Sequence, residues 1–338
     1  MVLSVSTRDG RYPIYLERGA LFRAGELFQL SRRCMIVTDD NIPKEYLATL
    51  SRQCASPSVF VVPAGEGSKS LSSFEAVLGE MLDQGFTRSD CVIALGGGVV
   101  GDLAGFVASA FQRGVDFYNV PTTILSQVDS SIGGKVAVNF RGLKNMVGAF
   151  YPPKGVLIDP ETLKTLPPRQ IANGLAEAVK MALTFDEALF SLFETATPME
   201  NLDLIIEKSL LAKKKVVEKD EREGGLRKVL NFGHTVAHAL ESESRKSGDS
   251  LYHGEAVALG MIPMCSQEVR ERLIFVLKKL GLPIQSSLSP EKLIEAMGHD
   301  KKMSGKQICL IRVDRIGSFR METLPFSAFS EEVKGWKL

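Results

Sequence analysis

Three of the chain's four histidines fall within residues 226–255, LRKVLNFGHTVAHALESESRKSGDSLYHGE. His234 and His238 are four apart in a segment after Asn231 that reads as a helix, so both imidazoles project from one face and offer a place to hold a metal ion. His253 follows the polar stretch SESRKSGDS, expected to be a turn, and precedes Gly254 and Glu255 at the start of another apolar run. From there it can swing back toward the first pair. Spacing alone leaves open the alternative that the histidines decorate a helix pair. Glu177 and Lys180 lie three apart in GLAEAVKMAL, an apolar helix where a charged pair needs a better reason than solvation. Two imidazoles plus one carboxylate, with a coordination position left open, form the ligand set of a catalytic zinc. Such a metal lowers the pKa of a bound hydroxyl.

A second chemistry is written in Gly96-Gly97-Gly98-Val99-Val100-Gly101, which contains G-x-G-x-x-G between a predicted strand and a predicted helix. Without Cβ atoms the backbone can approach a pyrophosphate, and the helix N-terminus supplies amide donors. The following strand ends in Val120-Pro121-Thr122-Thr123, not in the acidic residue of a standard dinucleotide fold. Gly65-Glu66-Gly67-Ser68-Lys69-Ser70 and Asp39-Asp40-Asn41 occupy equivalent places after other strands. From Pro121 to Phe150 the chain is dense in Gly, Ser, Asp, Asn and Lys. Asp129, Lys135, Lys144 and Asn145 there suit hydroxyls and oxyanions. With Lys180, Arg227 and Asn231 they imply an anionic substrate.

These groups must be positioned by two kinds of architecture. The first half alternates short apolar strands with amphipathic helices, after a hairpin over 3–16 that turns at Arg8-Asp9-Gly10. Strands are expected at 34–38, 58–63, 91–95, 117–120 and 156–159, the last closing the sheet, and helices at 43–54, 71–84 and about 102–112. This is an α/β domain with a mostly parallel, Rossmann-like sheet, whose ligands sit beyond the carboxyl ends of the strands. After Pro168 the pattern is mainly α-helical, with helices at 169–183, 202–219, 255–265, 268–280 and 291–297, and a hairpin over 307–313 and 317–322. Of the run Lys213-Lys214-Lys215, at least two side chains should be solvated, since neighbours on a helix diverge. The expected division is a nucleotide-binding domain over 1–165 and a metal- and substrate-binding domain over 166–338, joined around a cleft.

Composition narrows the function. At 338 residues two cores are expected, and 44% hydrophobic with 24% charged residues is an ordinary globular balance. A net charge of +1 gives no overall attraction to nucleic acid or an acidic membrane surface. The apolar run 91–111 carries a glycine cluster and Asp102, which argues against a membrane span. Five scattered cysteines without Cys-x-x-Cys spacing, and an N-terminus without a leader-like pattern, predict a cytoplasmic protein with reduced thiols. The residues alone thus reach a metal- and NAD-dependent enzyme for a polyhydroxylated acid or phosphate.

The motifs GGGVVGDLAGFVAS, RGVDF, VPTTILSQVDSSIGGKVAVN, LKNMVGAFYPP, GLAEAVK, EREGGLRKVLNFGHTVAHALE and HGEAVALGM follow one another along nearly the whole chain. Together they resemble the 3-dehydroquinate synthases, a sugar-phosphate cyclase family of the shikimate pathway. The resemblance implies that Glu177, His234 and His253 bind Zn2+, with Co2+ a substitute. It places Asp39, Asn41, Glu66, Lys69, Gly97, Gly98, Val99, Asp102, Thr122 and Thr123 around NAD, with Lys135, Lys144, Thr162 and Thr165 contributing. Asp129, Lys135, Lys144, Asn145, Lys180, Lys213, Glu223, Arg227, Asn231 and His238 would surround the substrate, with Lys301 or Lys302. His238 would thereby leave the metal set. Arg113 would reach the neighbouring subunit's site in a homodimer.

The implied reaction is that of a phosphate-eliminating carbon–oxygen lyase: 3-deoxy-D-arabino-heptulosonate 7-phosphate becomes 3-dehydroquinate and phosphate. Oxidation at C5 by NAD acidifies the C6 proton, phosphate leaves, the hydride returns, and the ring opens and recloses by an aldol step. Substrate phosphate can serve as the base in the elimination. Small departures occur, TVAHALE for TFGHAIE and VAVN for TAVN, and none removes a proposed ligand. The competing expectations are another sugar-phosphate cyclase, a metal-dependent polyol dehydrogenase, and a non-catalytic binding protein. A structural zinc fits the last poorly, since such sites are closed by four ligands and commonly rich in Cys.

Overall fold

All six residues of Cys91–Gly96 are buried, as expected for a strand covered on both faces. The computed structural model describes residues 1–247, 250–298 and 307–336. The chain divides into two compact units, Met1–Leu166 and Pro167–Leu338.

In the first unit the hairpin β1 (Val2–Thr7) and β2 (Gly10–Leu16) is followed by a short α1 (Ala24–Leu27), β3 (Arg33–Asp39), α2 (Lys44–Ser51) and β4 (Ser56–Val62). Then come α3 (Leu71–Asp83), β5 (Cys91–Gly96), α4 (Gly98–Ala110), β6 (Asp116–Pro121), β7 (Lys135–Phe140), β8 (Leu143–Phe150) and β9 (Gly155–Ile158). The main sheet has seven strands in the order β1-β2-β9-β6-β5-β3-β4, parallel except for the antiparallel β1. Alternation along the strands serves both faces. Met35, Val37, Val92 and Ala94 pack with α3 and α4, while Cys34, Ile36, Cys91, Ile93 and Leu95 pack with Leu50 and Cys54. The chain moves outward from β3 to β4 and then returns to the other side of β3 with β5. The β3/β5 junction is therefore the switch point at which such sheets bind ligands.

β9 is the last strand in sequence, yet it inserts between β2 and β6. The helix expected from about Asp102 begins at Gly98, because Gly97 is extended and the glycine run itself forms the helix N-terminus. Residues 135–150 form a separate two-stranded hairpin.

The second unit contains α5 (Pro168–Phe185), α6 (Glu187–Thr195), α7 (Leu202–Lys219), α8 (His234–Ser247), α9 (His253–Met261), α10 (Gln267–Lys279) and α11 (Pro290–Gly298). It ends with the hairpin β10 (Gln307–Arg312) and β11 (Arg320–Pro325) and helix α12 (Phe326–Lys334). Residues 242–247, expected in a turn, continue α8, where Lys246 pairs with Glu243 across one helical turn at 2.5 Å. The second strand of the hairpin starts at Arg320, not at 317, and residues 226–231 form a 3-10 turn. Helices α6 and α12 escape the sequence reading. The first is fixed by Asp186, whose carboxylate caps the Leu189 amide at 2.9 Å and pairs with Lys208 at 2.7 Å. Among the described residues no helix is long and apolar enough to cross a membrane.

Candidate active site

In the second unit α5 and α9 meet through glycine. A Cβ on Gly254 would lie 1.9 Å from the backbone oxygen of Asn173, so only glycine lets α9 approach α5 this closely. Gly260 repeats the device against Gly233, whose φ of 77° also demands glycine. Each of these contacts lies beside a histidine: Gly254 follows His253, and Gly233 precedes His234. Backbone packing thereby brings His234 and His253 to the buried carboxylate of Glu177 on α5. Nε2 of His253 lies 3.4 Å, and Nε2 of His234 3.6 Å, from Glu177 Oε1. One ligand atom from each of the three falls within 4.8 Å of the others.

The remaining ring nitrogens point to the same use. His234 Nδ1 faces the Phe232 carbonyl at 3.1 Å, and His253 Nδ1 faces Glu241 Oε2 at 3.4 Å, so both rings turn Nε2 inward. Among the described residues neither carboxylate oxygen of Glu177 has a well-directed hydrogen bond, although the Lys180 ammonium lies 2.5 Å from Oε2. A fully buried, underbonded carboxylate between two imidazoles fits a divalent cation. Burial disfavours the charged carboxylate, but Lys180 and then His253 outweigh it and hold the pKa of Glu177 at about 2. Burial likewise opposes charge on His253, yet Glu177 and Glu241 lift its pKa to about 9 in the protein alone. A metal held here by the His253 Nε2 would displace that proton.

His238 stands next to this trio, its ring centroid 5.7 Å from that of His234 and 6.5 Å from that of His253. The four-residue spacing thus puts His238 beside the three candidate ligands Glu177, His234 and His253. Lys180 is buried and donates to the Leu230 carbonyl at 2.8 Å. Asn231 donates to Glu223 at 2.6 Å, and buried Arg227 donates to the Glu221 carbonyl. Asp220, absent from the sequence reading, organises this loop by accepting the amides of Gly224, Gly225 and Arg227 at 2.7–2.9 Å. An Asp closing a helix just before a Gly-Gly pair was the available signal. Lys213 is buried while Lys214 pairs with Glu218 and Lys215 is exposed, in line with two of the three lysines being solvated. Lys301 and Lys302 lie outside the described residues.

In the first unit the strands β6, β5, β3 and β4 run parallel as neighbours, so their carboxyl ends form one edge. That edge carries in order Thr122 and Thr123, Gly97 and Gly98, Asp39 and Asn41, then Glu66 and Lys69. A Cβ on Gly97 would sit 3.1 Å from the Thr123 side chain, and one on Gly98 3.1 Å from the Ser130 hydroxyl, so the glycines keep the backbone uncrowded where the α4 amides emerge. Val99 and Asp102 occupy the first turns of that helix. The buried Thr122 hydroxyl has no partner among the described residues. Burial pushes the Asp39 carboxyl above its usual range while its Oδ1 accepts the Asn41 amide at 3.0 Å. A helix N-terminus, a glycine cradle and an orphaned hydroxyl fit a dinucleotide.

The other predicted residues distribute unevenly. The Lys69 ammonium meets both Asp102 and the Asn145 side chain. Asp129 lies on a π-helical turn over Ser126–Ser130, Lys135 opens β7 and Lys144 lies on β8. The Thr162 hydroxyl donates to the Asp159 carbonyl at 2.7 Å, and Thr165 lies 3.5 Å from the Tyr46 hydroxyl, so both are engaged within the unit. Buried Gln127 ties Pro121, Asp159 and Thr162 together at 3.0–3.2 Å and was missed by the sequence reading. Arg113 is exposed in the turn after α4.

The fold is shared with solved cyclases. It matches 2-deoxy-scyllo-inosose synthase complexed with carbaglucose-6-phosphate, NAD+ and Co2+ with a TM-score of 0.88 over all of both chains, at 23% identity. It also matches 2-epi-5-epi-valiolone synthase from Streptomyces hygroscopicus subsp. jinggangensis 5008, with NAD+ and Zn2+ bound, at TM-score 0.86 and 27% identity over 96% of this chain and 94% of that one. The fold is the one seen in two-domain sugar-phosphate cyclases. Residues 59–173 match the 3-dehydroquinate synthase N-terminal family and residues 174–303 the 3-dehydroquinate synthase C-terminal family. The 3-dehydroquinate synthase of Enterococcus faecalis (strain ATCC 47077 / OG1RF) is 42% identical over 99% of this chain and 98% of that protein. The chain belongs to the 3-dehydroquinate synthase family.

Proposed function

We propose that this chain converts 3-deoxy-D-arabino-heptulosonate 7-phosphate to 3-dehydroquinate and phosphate. The observation that carries the reading is the Glu177–His234–His253 set in a chain 42% identical along nearly its whole length to a 3-dehydroquinate synthase. Bound NAD would supply reversible hydride acceptance at one substrate carbon, and bound zinc would supply acidification of the hydroxyl there. The protein's own part is binding, orientation and charge. Glu177, His234 and His253 hold the metal. The N-terminus of α4, with Gly97, Gly98 and Val99, receives the pyrophosphate. Asp39, Asn41, Glu66, Lys69, Asp102, Thr122 and Thr123 line the rest of the cofactor, with Lys135, Lys144, Thr162 and Thr165.

Lys180, Lys213, Arg227, Asn231 and His238, with Asp129, Lys135, Lys144 and Asn145, surround the substrate's hydroxyl, carboxylate and phosphate groups. The cations hold developing negative charge as phosphate leaves. Holding the open intermediate in one geometry favours ring closure over escape. Glu223 buttresses Asn231 through its 2.6 Å hydrogen bond. The protein acts as a cytoplasmic homodimer in which Arg113 of one subunit completes the other's site.

Purified protein with NAD and zinc should release phosphate from the heptulosonate phosphate without net NADH. A metal-dependent dehydrogenase would instead accumulate NADH, and no phosphate release from metal-replete protein refutes the proposal. Glu177→Ala should abolish activity by losing metal. Full zinc occupancy in that variant contradicts the ligand assignment.

A further inference from the structure

Asn139 sits where the β7–β8 ladder slips. Pairing is regular from Lys135 to Val138 against Phe150 to Val147 and resumes only at Phe140 with Leu143. The irregularity releases Asn139 to bond elsewhere. Its amide donates to the Lys69 carbonyl at 2.8 Å, and its side-chain nitrogen donates to Glu66 Oε1 at 2.8 Å. Its side-chain oxygen accepts the Asn145 amide at 3.0 Å. Asn145 is held at a φ of 55° and returns its own side-chain oxygen to the Lys69 ammonium, which also meets Asp102. The circuit is closed: the loop of Glu66 and Lys69, Asn139, Asn145, and back to Lys69.

Glu66, Lys69 and Asp102 belong to the proposed NAD set, and Lys144 and Asn145 to the proposed substrate set. Asn139 belongs to neither and bonds to both. We infer that Asn139 is a positioning residue that couples cofactor occupancy to the β8 strand carrying Lys144 and Asn145. A ligand that fixes the Glu66 carboxylate fixes the amide donor bonded to it, and the same side chain presents its oxygen to the Asn145 N–H. Ordering of the 66–69 loop is thereby passed to the hairpin, and linkage requires that substrate on the hairpin tighten NAD in return. The inference rests on the reading of the first unit as an NAD site.

The test is amide hydrogen exchange on the full chain with and without NAD, following the Asn145 amide, alongside calorimetric NAD binding. In the wild type, NAD should slow exchange at Asn145 about fivefold or more, the size of one net hydrogen bond. In Asn139→Ala that NAD-dependent slowing should vanish, with the KM for the phosphorylated substrate raised more than kcat is lowered. Asn139→Asp keeps the oxygen facing Asn145 but sets a carboxylate against Glu66. It should retain the basal protection at Asn145 and lose the NAD-dependent part, and it decides the matter if the alanine variant does not fold. Equal NAD-induced slowing in wild type and variants, with NAD bound to all, overturns the coupling alone. A wild type that binds no NAD overturns the cofactor reading and the coupling with it.

Discussion

Arg113 lies in a run of three residues, Gln112, Arg113 and Gly114, whose φ values are 48°, 70° and 123°. The first two carry side chains that ordinarily avoid this conformation, and the Arg113 side chain is exposed. Strain at an exposed cation is better explained by function than by folding. Arg113→Gly should therefore leave stability unchanged or raise it by up to about 1 kcal/mol, the left-handed penalty less glycine's extra chain entropy. It should also sharply lower kcat/KM. Urea unfolding and steady-state kinetics check the two halves. If Arg113 serves the partner's site, mixing Arg113→Gly with Lys180→Ala subunits restores activity, because each hybrid contains one intact site. Absence of rescue in verified hybrids places Arg113 in its own subunit's site.

At the scale of elements, the metal set depends on how closely α9 can lie against α5 and α8. Gly254 and Gly260 hold those distances, with hypothetical Cβ atoms 1.9 Å and 2.1 Å from the backbone oxygens of Asn173 and Gly233. Gly254→Ala must push α9 away and carry His253 from Glu177. The expected cost is about 1–3 kcal/mol of overpacking, with weakened zinc binding although no ligand has changed. Thermal unfolding and metal titration measure both, and a variant that binds zinc as the wild type does contradicts the packing account. The HGE and FGH triplets were visible in the sequence, but their glycines became meaningful only when each was seen to touch another backbone.

For the molecule as a whole, metal and cofactor should act as stabilising ligands of the folded chain. Each adds RT ln(1 + [L]/Kd), about 2.7 kcal/mol at a hundredfold excess over Kd. Differential scanning calorimetry should show a Tm that falls on chelation and rises with NAD. Glu177→Ala should remove the metal-dependent increment and keep the NAD-dependent one, since Glu177 belongs to the second compact unit and the glycine loop to the first. Loss of both increments in a folded variant would show that the two sites are not separately built.

Sequence determined the local and repetitive features of this protein. Short apolar runs became strands because both faces of the main sheet are covered, the glycine run announced a helix N-terminus, and Glu177 stood out as a charge on an apolar helix. The family motifs named the residues around them. Tertiary structure decided what depends on distant backbone meeting backbone: the insertion of β9 between β2 and β6, the closeness of α9 to α5, and the roles of Gln127, Asn139 and Asp220. It also placed His238 beside the candidate ligands Glu177, His234 and His253. Helical periodicity puts His234 and His238 on one face, but which imidazole meets Glu177 depends on the packing of α8 and α9 against α5, and local spacing carries no information about that.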